Sequence, residues 1–572
     1  MNYDLFPATD IDGFLLQTWD KIIEKAGEIL QEKTLVVDYY VGADENEILS
    51  EFAKLNPDLL IDTRRLFKSE SEIIQMTKRF ITDDALFGYV TNLQMSDYFD
   101  DGKLQTTRQE IQNCSGKIII TGCGAALVTS ENVCLIYADM ARWEIQKRFA
   151  EHSATSLGVD NSGEDVSLQY KRGYFNDWRI CDAHKDSFFR KIDFFLDTNC
   201  RKNPKLTDRE TFFKGIEKTI KKPFRVAPFF APAPWGGQFM KRTFGLPEDE
   251  KNYGWGFDCV PEENSLLLKI NGTLFELPAM NLTLLKSREL LGEAVEARFG
   301  KQFPIRFDML DTVEGGNLSF QVHPTTQFIQ QNFGMHYTQD ESYYLLHTEE
   351  KASVFIGLKN NIDREKMIAD LHSAQRGETM FEPEKYANRI PAKRHDHFLI
   401  PGGTVHCSGE GGLVLEISST PSIFTFKMWD WGRLGLDGKP RPINIERGVE
   451  VIDWKRDTDY TKKNLVNAIT PVCRENGWCE EKTGLHPNEF IETRRHYFSE
   501  KIEHFTNGSL NVLNLAEGEE VIVESPENAF EPFVVHYAET FIVPENVKHY
   551  SIRPYGLSEG RRCITVKASV RI

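Results

Sequence analysis

The spacing of apolar residues changes character near residue 222. Before it, helical intervals alternate with short apolar runs. Residues 10–33 place Phe14, Leu15, Trp19, Ile22, Ile23, Ala26 and Ile29 three and four apart, which predicts a helix. Residues 34–42 read as a buried strand ending in Gly42, 45–55 as a helix, 59–63 as a short strand and 69–81 as another helix. Strands that alternate with helices point to a parallel α/β sheet. Residues 117–127 form a hydrophobic strand running into Gly122-Cys123-Gly124. Such a turn can present backbone N–H groups to a phosphate. The lysine of a P-loop does not follow, however, so a tight structural turn is the preferred reading. The runs 127–129 and 133–137 predict a hairpin around Glu131-Asn132, and 138–148 a charged amphipathic helix.

Beyond residue 222 the pattern becomes one of short strands separated by Gly and Pro. Prolines 228, 232 and 234 mark the boundary. Residues 284–299 have helical spacing, 362–371 and 384–387 read as short helices, and 457–463 as a connector. Residues 499–572 are β-rich, with turns at Asn507-Gly508, Gly518 and Pro544. The expected organisation is an α/β domain over 1–222, a mainly-β domain with a helical insertion over 223–455, and a connector with a second β domain over 456–572.

Candidate chemistry concentrates in two of the predicted strand regions. In Leu318-Ser319-Phe320-Gln321-Val322-His323-Pro324, strand alternation puts Gln321 and His323 on one face and Phe320 and Val322 on the other. Glu341 opens an aromatic strand shortly afterwards. In the second region Pro401-Gly402-Gly403 is turn chemistry that delivers His406, and Leu413, Leu415 and Ile417 share a face opposite Glu416. Two histidines, a glutamate and an amide form a mixed nitrogen and oxygen set suited to a borderline divalent ion. Residue type alone also allows core or surface histidines, and spacing does not bring the four together.

Composition narrows the classes. A chain of 572 residues is too long for one core. Its formal charge of −18 argues against nucleic acid or an anionic membrane as partner. No apolar run reaches membrane-spanning length, and ten scattered cysteines without a framework pattern suit reduced thiols in a cytoplasm.

The two regions together resemble the signature of the type I mannose-6-phosphate isomerases: Leu-Ser-Phe-Gln-Val-His-Pro from 318, Glu341 before its strand, and Ile-Pro-Gly-Gly-Thr-Val-His from 400. Pro234-Trp235-Gly236-Gly237 is similar to a segment near the start of bacterial members. The resemblance implies a cupin (double jelly-roll) scaffold after the α/β domain and one Zn2+, or another divalent ion, per chain on Gln321, His323, Glu341 and His406. It also implies Glu416 as catalytic base. The segment before residue 222 resembles the N-terminal extension of longer bacterial members. It looks faintly like a nucleotide-kinase fold without its phosphate lysine, and no chemistry is assigned to it.

Three positions depart from the family pattern. Lys427 stands where an active-site arginine is usual, Gln339 stands for a lysine two residues before the metal glutamate, and Asp308 for another lysine. Arg433, Lys241, Arg242 and Arg306 are candidates for replacement charge, with Glu416, Lys427 and Arg433 as the catalytic set. The implied function is a metal-dependent aldose–ketose isomerase acting on a small sugar phosphate, with mannose 6-phosphate to fructose 6-phosphate foremost. An isomerase for another sugar, or a non-catalytic sugar-binding regulatory protein, is the alternative. The sequence does not give an oligomeric state.

Overall fold

A computed structural model describes residues 2–129, 131–434, 443–484 and 486–572. The chain forms two compact units, each discontinuous in sequence. One comprises Met1–Pro7, Thr219–Pro261 and Lys286–Ile572, and the other Ala8–Lys218 and Glu262–Leu285. Contiguous boundaries at 222 and 455 do not capture this partition, because strand pairing joins distant segments. Ala8–Ile11 lies parallel to Ser265–Ile270, which pairs antiparallel with Thr273–Pro278.

The Ala8–Lys218 unit is built on a seven-stranded sheet. Its five parallel strands lie in the order Leu59–Asp62, Ile118–Gly122, Thr34–Tyr39, Val133–Asp139, Phe194–Asp197. Lys205–Asp208 and Leu16–Gln17 extend one edge in antiparallel fashion. The helix predicted over 10–33 is confined to Trp19–Ile29, because its first third is strand and loop. Helix Glu70–Ile81 begins with a capping box between Ser69 and Glu72. The expected hairpin at 127–137 does not form. Val133–Asp139 instead pairs parallel with Thr34–Tyr39, a partner about a hundred residues away that local pattern cannot reveal.

The Gly122–Gly124 turn has a definite structural role. Gly122 and Gly124 have φ of +136° and +77°, and a Cβ on Gly122 would collide with the Thr63 hydroxyl. The N–H groups of Gly124 and Ala126 donate to the buried Asp38 carboxylate at 3.1 and 2.9 Å. His184 Nε2 holds the same carboxylate at 2.8 Å. The anion that these N–H groups face is therefore the chain's own aspartate.

The other unit is antiparallel throughout and contains two pairs of sheets. In the first pair, a six-stranded sheet runs His397–Ile400, Glu341–Thr348, Gly412–Ser419, Ile305–Asp311, Trp255–Cys259, Phe229–Ala231. It is paired with a five-stranded sheet in the order Ala387–Pro391, Ser353–Leu358, His406–Ser408, Phe320–Val322, Phe426–Trp429. Helix Arg364–Gln375 is inserted between strands Ser353–Leu358 and Ala387–Pro391. The second pair has six strands and four strands, all drawn from residues 470–570.

Gly412–Ser419 is buried at every position, and the two sides have different reasons. Leu413, Leu415 and Ile417 face outward, where residues after 484 cover the sheet: Arg495 donates to the His395 carbonyl at 2.7 Å and Arg394 to that of Ala516 at 3.2 Å. The inner side is layered. Register sets Leu345, Val414 and Leu310 in one row, Tyr343, Glu416 and Asp308 in the next, and Glu341, Ser418 and Arg306 in the third. The interior thus passes from an apolar core that includes Leu310, Leu345, Val354, Ile356 and Phe398 to a polar end.

Arg225 joins the ends of this unit. Its side chain, 1% exposed, lies 3.1 Å from Asp258 and 2.7 Å from Glu539, and Tyr3 donates to Asp258 at 2.5 Å. Removing one partner of such a cluster leaves buried charge uncompensated. Arg225→Met is expected to lower the unfolding free energy by about 3–5 kcal/mol, read from the denaturant midpoint. A shift below half a kilocalorie, on the order of a neutral surface change, would show that the cluster does not support the unit.

Candidate metal centre

Three side chains at or just past the ends of three different strands meet at the polar end of the first sheet pair. His323 follows Phe320–Val322, Glu341 opens Glu341–Thr348, and His406 opens His406–Ser408. Their ligand-type atoms all lie within 4.8 Å of one another, and each residue is at most 2% exposed. His323 Nε2 is 3.1 Å from Glu341 Oε2, and His406 Nε2 is 2.8 Å from Glu341 Oε1.

The ring orientations follow from local chemistry. His323 Nδ1 faces the Phe424 carbonyl at 3.1 Å and His406 Nδ1 that of Thr404 at 2.9 Å. Carbonyl oxygens only accept, so both Nδ1 atoms carry hydrogen and both neutral rings direct an Nε2 lone pair toward Glu341. Two lone pairs against one carboxylate repel unless protons or a cation come between. Neither His323 Nε2 nor Glu341 Oε1 has a hydrogen-bond partner among the described residues. The donor set therefore fits a divalent ion. Without one, protons take that place. Burial alone would lower the His323 pKa, but the Glu341 charge beside it leaves it raised above 6.5. Burial would raise Glu341, yet the two histidines hold its carboxyl far below the usual range.

Gln321 lies beside this group, paired in register with His406. Its Nε2 is 3.2 Å from His406 Nε2, and its Oε1 accepts from Ser319 at 2.9 Å. A half-turn of the amide exchanges these atoms. It brings the oxygen toward the histidines and leaves the Ser319 hydroxyl to accept instead.

The turn that delivers His406 is held from three sides. Gly403 N donates to the His323 carbonyl and Gly402 N to Asp340 Oδ1, both at 2.8 Å. Buried Arg456 donates to the carbonyls of Pro401 and Gly402 at 2.6 and 2.9 Å. A Cβ on Gly402 would come within 2.6 Å of the Pro324 carbonyl, which explains the residue type. Asp340 and Arg456 do not emerge from the sequence reading. The only local signal for Asp340 is a second acid next to Glu341, and Arg456 acts on a turn more than fifty residues earlier.

The predicted catalytic residues fall in different places. Glu416 is 4% exposed and accepts from Ser418 at 3.0 Å, Gln339 at 3.2 Å and Arg306 at 3.3 Å. Burial, with the charges of Asp308 and Glu341, pushes its carboxyl well above the ordinary range. Lys427 pairs in register with Gln321, so Lys427, Gln321 and His406 share a face across three neighbouring strands. Arg433 is tied to Asp430 at 2.7 Å beyond the strand end. Of the other cations, Arg306 enters the interior, 3.4 Å from Asp308, whereas Arg242 pairs with Glu314 and Lys241 with Glu248 on the periphery.

Comparison with known proteins gives results for both parts of the chain. A family described as a domain of unknown function (DUF8485) matches residues 18–221. Mannose-6-phosphate isomerase of Streptococcus mutans is 27% identical over 231 residues, which is 40% of this chain and 66% of that enzyme. Mannose-6-phosphate isomerase ManA of Bacillus subtilis is 27% identical over 238 residues, 40% of this chain and 68% of its own length. The aligned stretch thus spans about two thirds of these relatives. A crystal structure of the Bacillus subtilis mannose 6-phosphate isomerase superposes with a TM-score of 0.49 at 19% identity, covering 61% of this chain and 99% of that one. The chain is a relative of the mannose-6-phosphate isomerases over 40% of its length.

Proposed function

We propose that the first sheet pair is the site of a metal-dependent aldose–ketose isomerase that interconverts mannose 6-phosphate and fructose 6-phosphate, in a cytoplasmic setting. The observation that carries this reading is the pairing of a buried metal-type donor set with a carboxylate one layer away. Glu341 and Glu416 are both hydrogen-bonded to the Gln339 amide. A protein that only bound a sugar would have no need of the second carboxylate. The curated relatives named mannose-6-phosphate isomerase support the same reading.

His323, Glu341 and His406 would hold the ion, zinc by donor type, with Gln321 joining through its amide oxygen. When bound, a divalent ion there supplies Lewis-acid stabilisation of negative charge on the sugar oxygens. Glu416 takes the proton from C2, and the electron pair left behind forms the C1–C2 double bond of a cis-enediolate as the C1=O1 π pair moves onto O1. The same carboxyl then returns the proton to C1, while a proton passes from O2 to O1. Arg306, 3.3 Å from Glu416, favours the ionised form that a base requires. Lys427, on the face shared by Gln321 and His406, offers a point charge to the enediolate but lacks the planar fork of arginine.

The same chemistry on another sugar is the second reading. It is favoured by the pairing of Arg306 with Glu416 and Asp308, and of Arg242 and Lys241 with surface acids, which engages much of the positive charge a phosphate would need. A coupled assay across hexose phosphates and free hexoses, with and without chelator, separates the readings. Wild-type protein that turns over none of them would sink both.

Two outcomes follow for variants. Glu416→Gln should lower kcat by roughly a hundredfold or more with metal content unchanged. Lys427→Met should lower kcat far more than it raises KM, with Lys427→Arg closer to wild type. Equal kcat for wild type and Lys427→Met would make that residue a bystander.

For the metal, the sign follows from His323. Its raised pKa stabilises the ion-free fold below pH 6.5, and this contribution is lost as pH rises through the folded value. An ion requires the unprotonated ring. Added Zn2+ should therefore raise the Tm more at pH 8 than at pH 6, and His406→Ala should abolish the shift. An equal shift at both pH values would place the ion elsewhere.

A further inference from the structure

We infer that Gln339 is a substrate-contacting residue whose amide nitrogen spaces the Glu341 and Glu416 carboxylates and whose amide oxygen accepts a sugar hydroxyl. This inference rests on the proposed isomerase reading of the site.

Three observations carry it. Gln339 Nε2 lies 3.1 Å from Glu341 Oε2 and 3.2 Å from Glu416 Oε1, so both amide hydrogens are committed to carboxylates. That fixes the amide's orientation, because the flipped form would press a carbonyl oxygen against the Glu341 carboxylate. The oxygen must then point the other way. There Gln339 Oε1 is buried, on a residue only 3% exposed, and has no hydrogen-bond partner among the described residues.

A buried acceptor with no donor is a costly arrangement that persists where a ligand completes it. The missing group must donate, which a phosphate dianion cannot do and a sugar hydroxyl can. The surroundings agree, since Glu341, Glu416 and Asp308 make this end acidic and unsuited to a phosphate. The hydroxyl-bearing carbons next to the reacting pair, rather than the phosphate, are placed against Gln339. A lysine or arginine at this position would donate to the two acids but could not accept from the sugar. The amide does both. Gln339 therefore selects for a hydroxyl at the reacting end.

The test uses zinc-loaded full-length protein and three non-reacting probes: a hexitol 6-phosphate and its 2-deoxy and 3-deoxy forms. Binding is measured by calorimetry, bound metal by mass spectrometry, and turnover with mannose 6-phosphate. For wild type, removing one of the two hydroxyls should weaken binding roughly tenfold to a hundredfold. In Gln339→Met the same removal should cost less than about twofold, with metal content unchanged. Gln339→Asn keeps both the amide donor and the amide acceptor on a shorter stem and should retain part of the discrimination. It also serves as the reporting variant if the methionine form does not fold.

Equal discrimination in wild type and Gln339→Met would overturn the inference, reducing the residue to a spacer. So would loss of metal in both variants, which would make the amide a support for Glu341 alone. Wild type that discriminates the hydroxyl yet does not turn over sugar phosphate would sink the isomerase reading and leave the contact standing. Wild type that neither binds the probes nor turns over would sink both.

Discussion

One carboxylate between two imidazoles, all three shut away from water, is the constraint to which the rest of the first sheet pair is fitted. A buried negative charge is tolerated only when compensated. Glu341 has its compensation aimed at it, because backbone carbonyls take the far nitrogen of each histidine. That aim depends on the Pro401–Thr404 turn, and the turn depends on Asp340 and Arg456. The chain of support runs outward from the carboxylate, and beyond the two imidazoles each link is a hydrogen bond to backbone. The lengths of flexible side chains thus have little freedom to blur the geometry.

The inner rows of the sheet show how a single barrel holds both a core and a reaction site. Apolar residues occupy one end and acids the other, with Tyr343, Glu416 and Asp308 at the transition. Placing Glu416 at that transition denies it water, while Arg306 and Gln339 stop short of neutralising it. Its raised proton affinity follows from position, with no special bond required. Charge inside the barrel is also redistributed: the cation next to Glu416 comes from Arg306, one register step from Asp308.

Much of this was legible where the information is local. Alternation in Phe320–Val322 put Gln321 and His323 on one side, and turn residues announced where His406 would emerge. The convergence of His323, Glu341 and His406 was legible only through family resemblance, since nothing in their spacing brings three strands together. Illegible were the features made by residues far apart. Arg456 reaches back to Pro401, Val133–Asp139 pairs with Thr34–Tyr39, and Arg306 turns inward to Glu416. Pattern reports which face a residue takes, while long-range register decides what it meets there.

The discontinuity of the two units bears on how the chain is made. Ala8–Ile11 is synthesised more than 250 residues before its parallel partner Ser265–Ile270. Closing so long a loop has an entropic cost that grows only slowly with length, but it cannot be met before the partner exists. The α/β unit must therefore wait, its separate three-stranded sheet incomplete, while strands of the other unit are already being produced. Residues 219–261 emerge inside that interval, so part of the other unit exists before the α/β unit has all its strands, and that unit is itself supplied in full only by residues 286–572.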